Sequence, residues 1–386
     1  MIKRDITHNI LRVADKIPVI VITGPRQSGK TTLVKNLFSN YRYINLEHPE
    51  ERTRAKIDPV RLLQGWENGM ILDEIQREPI LLSYIQALTD EKGLNGKFIL
   101  TGSQNLNMME SVTQTLAGRT AIYFLMPFSI AELQYAGVSS ERPEETIFKG
   151  FYPRLYDTGI LPEELFPSYI QTYLERDVRQ LINIKDLSKF QLLIRLCAGR
   201  TGQIINYRSL SNETGADEKT IKSWLQILEI SHIIFFLQPF YVNFGKRLIK
   251  SPKLYFNDTG LLCSLLGIRN PDQLPIHYLW GNIFENLIIA DFRKNLFNSG
   301  IYRNLYFWRD SSGNEIDCIF EDGPVIKAIE IKSSLTFNTD FLNNLRLLKK
   351  ISGKYSIKTF LIMAAQSHYQ LDETTVLPWS GMVKLM

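Results

Sequence analysis

The stretch "TGPRQSGKTTLV" at 23–34 contains the spacing G-x-x-x-x-G-K-[ST], running from Gly24 to Thr31. Glycines let backbone N–H groups converge on anionic oxygens, and a helix starting behind them adds a favourable dipole. The chemistry is phosphate binding. Pro25, Arg26, Gln27, Ser28 and Gly29 form the loop, Lys30 reaches the β- and γ-phosphates, and Thr31 offers a hydroxyl to Mg²⁺ with Thr32 behind it. A second stretch, "MILDEIQ" (70–76), supplies acids to match. Asp73 emerges at the carboxyl edge of a sheet, where an acid holds Mg²⁺ through water, and Glu74 is suited to polarise an attacking water as a base. In "FILTGSQN", the Thr101 and Ser103 hydroxyls stand at another strand end, where one could sense a γ-phosphate; small polar residues there also serve turns. The cofactor expectation is ATP, with ADP as product and Mg²⁺ alongside.

A separate set of charges lies in "RDSSGNEIDCIFEDGPVIKAIEIKSS" (309–334). Reading "EDGP" as a turn centred on Asp322-Gly323 sets Glu321 against Pro324 and Asp317 against Ala328. Asp317 is then diagonal to Glu330, Glu315 lies directly across from Glu330, and Lys332 follows on the same face. Like charges opposed across a strand pair are destabilising. Either these are ordinary surface residues of an amphipathic strand, or they gather around water, a cation or a basic partner. A second Mg²⁺ or Mn²⁺ would suit Asp317 and Glu330, and Lys332 could stabilise charge developing on a phosphate.

The elements that must position these residues follow from patterning. "PVIVITG", "YRYINLE", "GMILDEI", "KFILTGS" and "AIYFLMP" read as buried parallel strands separated by helix-length segments, an α/β domain with helices on both sheet faces. From about 128 the pattern turns helical, and near 300 it returns to strands with a helix at about 338–351. In 386 residues, 44% hydrophobic and 22% charged, there is room for two or three domains of globular composition. The formal charge of +5 permits nucleic acid as a partner without arguing for it. Three scattered cysteines give no metal spacing or disulfide framework. The N-terminus reads as a short amphipathic helix rather than a signal peptide, and no apolar run spans a membrane, so the expected location is cytoplasmic.

In the middle, "LSKFQLLIRLCAG", "INYRSLSNETG" and "ADEKTIKSWLQILEI" read as three helices, followed by a β-ribbon over 233–258, which spells a winged helix-turn-helix. Ile221, Trp224, Leu225 and Leu228 form the apolar face of the third helix, leaving Lys219, Lys222, Ser223 and Gln226 outward. The ribbon tip adds Lys246, Arg247, Lys250 and Lys253. DNA binding and a plain packing or protein-contact role stay open.

The segments "GPRQSGKTTL", "LDEIQREP", "LTGSQN" and "LAGRTAIYFLMPFSIAEL" resemble the AAA+ ATPase domain of a large bacterial and archaeal family, whose following helical domain is matched by "GFYPRLY" and "YIQTYLERDVRQLINI". The resemblance implies nucleotide binding and hydrolysis. It also draws attention to Arg119 in the "GR" phrase, and to Arg176, as cations completing a γ-phosphate site from the same or a neighbouring subunit of a homo-oligomer. In the C-terminal part, acid followed by acid-x-Lys on adjacent strands resembles the PD-(D/E)xK nuclease core, which implies Asp317, Glu330 and Lys332 as catalytic residues and Glu285 as an added metal ligand.

The expected architecture is therefore α/β: a P-loop AAA+ parallel-sheet core at 1–135, a helical lid or linker at 136–185, a winged helix at 186–262 and a smaller α/β restriction-endonuclease-like domain at 263–386. The functional expectation is a Mg²⁺-dependent ATPase driving a DNA-directed, metal-dependent nuclease. The alternative is an ATP-switched module that binds DNA or another protein, with an inactive nuclease-like domain.

Overall fold

The computed structural model describes residues 2–385 apart from 66, 104–111, 113, 175–185, 241–248, 301–302 and 354. Contacts divide the chain into two compact units, one built on 1–128 with 230–232 and 297–301, the other on the remainder.

The first unit holds a five-stranded sheet of β1 (Val19–Gly24), β2 (Arg42–Asn45), β3 (Met70–Asp73), β4 (Phe98–Ser103) and β5 (Thr120–Phe124). The strands are all parallel, in the order β2-β3-β4-β1-β5. Strand β1 explains why the sequence runs apolar without alternation: all six residues are buried, Val19 and Val21 in one core and Ile20 and Ile22 in the other. Both sheet faces are covered, so each side-chain direction needs an apolar residue. Helix α1 (Thr7–Ala14) puts Ile10 and Ala14 into the second of those cores, and α2 (Lys30–Leu37), which follows β1, adds Leu33 and Val34.

The second unit opens with a helix over Ile130–Tyr135, started by a capping box in which Ser129 and Glu132 satisfy each other's backbone N–H. Helices α3 (Leu187–Ala198), α4 (Tyr207–Thr214) and α5 (Glu218–Ile230) follow, and Gly215 in the left-handed region (φ +66°) ends α4. In α5 the expected apolar residues are buried, joined by Ile227, and Lys219, Lys222, Ser223 and Gln226 are exposed.

The expected ribbon is present as antiparallel strands β7 (Ile234–Pro239) and β8 (Lys253–Phe256), with the short β6 (Gln203–Ile204) beside β8. Lys246 and Arg247 lie outside the described residues, Lys250 is exposed, and Lys253 departs from expectation. It is 2% exposed, inside a strand, and not at a ribbon tip.

Strands β9 (Tyr306–Arg309), β10 (Glu315–Asp322), β11 (Val325–Lys332), β12 (Ser356–Met363), β13 (Tyr369–Leu371) and β14 (Thr374–Pro378) complete a nine-stranded sheet ordered β13-β14-β12-β11-β10-β9-β7-β8-β6. Because β7 pairs with β9 as well as β8, one sheet runs through the expected boundary at 262, and the four expected parts reduce to two compact units. Helices α6 (Trp280–Ser299) and α7 (Asn343–Ile351) flank this region, α7 packing Leu345 and Leu348 against Trp308, Ile316, Ala328 and Leu361.

The β10–β11 register corrects the sequence reading. Asp322 pairs with Val325, and Ile319 pairs with Ala328. The turn is therefore centred on Gly323-Pro324. Gly323 takes φ +61°, and the proline ring imposes a negative φ behind it, as a type II′ turn requires. A two-residue change of register keeps every side chain on its expected face but changes its neighbour. The next step along the ladder brings Asp317, not Glu315, level with Glu330.

Candidate functional site

At the carboxyl edge of the first sheet, β1 ends in Gly24 with φ +145°, where a Cβ would lie 2.2 Å from the Leu125 carbonyl oxygen. Only glycine fits. The loop then turns through Gln27 (φ +60°) and Gly29 (φ +92°) into α2. The first N–H groups of a helix lack internal partners and point at whatever lies ahead of it. Arg4 braces the loop from outside, donating to the Ser28 carbonyl at 3.0 Å and to the Met126 carbonyl at 2.6 Å. Nothing in the local sequence announces that role.

Lys30 is 6% exposed, and its Nζ donates to the Gly24 and Pro25 carbonyls at 3.1 and 2.8 Å. Burial lowers its pKa to about 8, against the opposing pull of Glu74 and Asp73. Thr31 Oγ1 donates to Asp73 Oδ2 at 2.8 Å, so the threonine of the loop and the acid of β3 meet as expected. Thr101 donates to Asp73 Oδ1, which places that hydroxyl on the acid within the site. Tyr43, which sequence reasoning missed, donates its hydroxyl to Asp73 Oδ2 at 2.7 Å. Ser103 ends β4 in register with Gly24. Glu74 follows Asp73 in the left-handed region, φ +59° and ψ +45°, and accepts from Gln76 Nε2. A non-glycine residue held there costs on the order of 1–3 kcal/mol, a strain that gathers at functional sites.

Arg119 does not join this site within one chain. It sits just before β5, at the amino edge of the sheet, and pairs with Asp90 at 2.5 Å. Arg176 lies outside the described residues.

The residues of the cradle fit a phosphate-bound magnesium ion. Thr23 Oγ1 and Ser28 Oγ are buried there without a hydrogen-bond partner among the described residues, and buried polar atoms ordinarily have one. The Thr31 hydroxyl and the Asp73 carboxylate supply hard oxygen donors of the kind that ion takes.

In the second unit, Asp317, Glu330 and Lys332 come together as expected. Lys332 Nζ lies 2.6 Å from Glu330 Oε2 and 3.5 Å from Asp317 Oδ2, and Asp317 also accepts from the Ile331 amide at 2.8 Å. Glu330 is 1% exposed; burial first, then the charge of Asp317, push its carboxyl well above the ordinary range. Glu285 feels the charge of Asp317 but takes its hydrogen bonds from other groups. It accepts from Lys253 at 2.9 Å and from the Tyr255 hydroxyl, and Lys253 also pairs with Glu315. Arg309 reaches Glu315 at 2.9 Å. Burial raises the Glu285 carboxyl to about 7, with Lys253 opposing.

The expected gathering of Glu285, Asp317 and Glu330 on one cation finds no support here: Lys253 engages Glu285, and Lys332 engages Asp317 and Glu330. Among the described residues, no group of three or more histidine, cysteine or acidic side chains is arranged to hold a metal ion.

Comparison with known proteins separates the ATPase segment from the rest and divides the remainder into two matched segments. Residues 16–134 match the family model described as an AAA domain, 140–272 a domain of unknown function (DUF8612), and 280–382 a second domain of unknown function (DUF4143). The uncharacterized protein Rv2008c of Mycobacterium tuberculosis is 28% identical over 338 residues, covering 86% of this chain and 74% of that one. The uncharacterized protein MJ1637 of Methanocaldococcus jannaschii is 26% identical over 296 residues, covering 63% and 61%. Among solved structures, the Walker-type ATPase PABY2304 of Pyrococcus abyssi is similar at 15% identity and TM-score 0.46, over 69% of this chain and 96% of that one. AMPPCP-bound DnaA of Aquifex aeolicus is similar at 13% identity and TM-score 0.28, over 58% and 86%. No described helix is long and apolar enough to cross a membrane. The phosphate-loop geometry and the match over 16–134 together identify an AAA-like P-loop ATPase domain, followed by two domains of unknown function.

Proposed function

We propose that the chain is a Mg²⁺-dependent ATPase in which the loop from Gly24 to Thr32 binds the triphosphate. The observation that carries this reading is the Thr31–Asp73 hydrogen bond, which brings a metal-ligating hydroxyl and a metal-holding acid together ahead of α2. Magnesium bound there would neutralise negative charge on the triphosphate. Thr31 and Asp73 would hold it, Thr31 through its hydroxyl.

The chain's own residues do the rest. Loop amides orient the phosphates. Lys30 leaves its carbonyl partners to meet the transferred phosphoryl group, a position in which its positive charge stabilises the leaving and transferring oxygens. Glu74, fixed on its left-handed backbone and held by Gln76, orients the attacking water and accepts its proton. The deciding experiment is calorimetry of nucleotide uptake by wild type and Lys30→Ala. Uptake in wild type and its loss in the folded variant is the expected result; equal uptake by both removes the reading.

For the second unit, the engagement of Glu285 and Glu315 by Lys253, with no group of metal-ligating side chains arranged to hold an ion among the described residues, favours the contact-module reading over nuclease action. In that reading the nucleotide state of the first unit governs a DNA or protein contact made through the helical middle, with Lys219 and Lys222 of α5 on its exposed face.

A further inference from the structure

We propose that Tyr43 is a positioning residue of the nucleotide site: its hydroxyl, 2.7 Å from Asp73 Oδ2, fixes the carboxylate that holds magnesium beside the triphosphate. This rests on the ATPase reading above.

A carboxylate at a strand end turns easily, because its last torsion is broad. Asp73 is held at both oxygens: Thr101 donates to Oδ1, while Thr31 and Tyr43 both donate to Oδ2. The three donors differ in one respect. Thr31 belongs to the phosphate loop and its oxygen must also face the metal, so its geometry changes with the nucleotide. Thr101 sits on β4, on the far side of β3 from β2. Tyr43 comes from β2, two residues short of Asn45, which pairs with Asp73. From there it holds Oδ2 independently of the loop.

Its ring is restrained too. The Lys35 ammonium, on α2 five residues beyond Lys30, lies 3.7 Å from the ring centroid. Such a contact is attractive and directional. Tyr43 is thereby clamped between the helix that leaves the loop and the acid that the loop needs. In the sequence, "YRYINLE" offers only an aromatic on a strand, which is why the role emerges from the diagonal placement of Tyr43 and Asp73 on neighbouring strands.

The test is Tyr43→Phe, which keeps the ring and its contact with Lys35 and deletes one hydroxyl. ATP affinity is measured against Mg²⁺ concentration, and again in EDTA. The expected result is an about tenfold rise in the Mg²⁺ concentration giving half the metal-dependent gain, the size of one hydrogen bond to a charged acceptor. Affinity in EDTA stays at the wild-type value, which a merely structural role in the loop would not spare. An unchanged Mg²⁺ midpoint in folded Tyr43→Phe overturns the positioning role alone. Wild-type protein with no Mg²⁺-dependent uptake overturns it together with the ATPase reading. Should Tyr43→Phe fail to fold, Lys35→Met frees the ring while leaving the hydroxyl. Its Mg²⁺ midpoint is expected to rise about threefold, and no rise overturns the proposal.

Discussion

Thr31 Oγ1 lies 2.8 Å from Asp73 Oδ2, joining the start of α2 to the end of β3 across 42 residues of sequence. The contact exists because β1 and β3 both end at the same sheet edge, with β4 between them. It makes the metal-dependent share of binding separable from the phosphate-cradle share. Asp73→Asn is expected to leave ATP affinity in EDTA within about twofold of wild type and to lower turnover by about a hundredfold or more. Calorimetry with and without Mg²⁺, beside a phosphate-release assay, checks both halves. Equal losses with and without metal would mean that Asp73 merely supports the loop.

Glu74 is the one acid of the first site held in a strained backbone conformation, and Asp73 sets its place in the chain. Glu74→Gln keeps the side-chain length and removes the base. Nucleotide affinity should be retained while turnover falls about 10²- to 10³-fold, the usual weight of a positioned proton acceptor. Near-normal single-turnover rates in this variant would assign the water-orienting role elsewhere.

The first unit was legible in the sequence because its determinants are local. β1 must be apolar from Val19 to Ile22, Gly24 must be glycine, and the phosphate loop is contiguous. The residues that brace it were not legible: Arg4 reaches Ser28 and Met126, and Tyr43 reaches Asp73, each through a fold contact with no spacing signature. In the second unit, the faces of β10 and β11 were read correctly and their register was not. Asp-Gly is a strong turn signal, but Pro324 decides which residues sit at the centre, because its φ suits the second central position of a type II′ turn. Lys253 shows the wider limit. As part of a basic run near a ribbon it reads as a surface cation, whereas its partners lie 32 and 62 residues further on. The expected nuclease centre rested on the acid and acid-x-Lys pattern, which already placed Lys332 beside Asp317 and Glu330. The engagement of Glu285 and Glu315 by Lys253 became visible only once the strands were paired.

Lys253 is 2% exposed and faces both Glu285 and Glu315. Removing one member of a buried ion network leaves the others uncompensated, and such changes cost about 3–5 kcal/mol. Lys253→Met should therefore lower the denaturant midpoint of the second unit strongly, and adding Glu285→Gln should restore part of the loss. A Lys253→Met variant as stable as wild type would show that the acids find other partners.

The second unit's acids also bear on the nuclease question. With no group of metal-ligating side chains arranged to hold an ion among the described residues, the contact-module reading expects no nicking of supercoiled DNA above background with Mg²⁺ or Mn²⁺. It expects salt-sensitive DNA or protein association that Lys222→Glu weakens. Metal-dependent nicking that vanishes in Asp317→Ala would reverse this choice and restore the nuclease reading.

Asp291 offers a pH test in the second unit. It is fully buried on α6, accepts from the Ile130 amide at 2.7 Å and from Asn295 Nδ2 at 2.7 Å, and its carboxyl is raised from 3.8 to about 6, chiefly by burial. Lys294 opposes the shift, and Glu132 adds to it. A carboxyl raised on folding holds its proton longer in the native state. Its contribution to stability is thus complete below the unfolded pKa and is lost as pH rises through about 6. Asparagine at the same position keeps an acceptor for the Ile130 amide and has nothing to ionise. The stability of Asp291→Asn relative to wild type should therefore improve by about 2 kcal/mol between about pH 4.5 and about pH 7.5. Denaturant titrations of both proteins at the two pH values give that difference directly, with the other titrating groups cancelling. A difference that is flat, or that runs the other way, would mean that Asp291 stays ionised in the folded protein and that Lys294 outweighs burial.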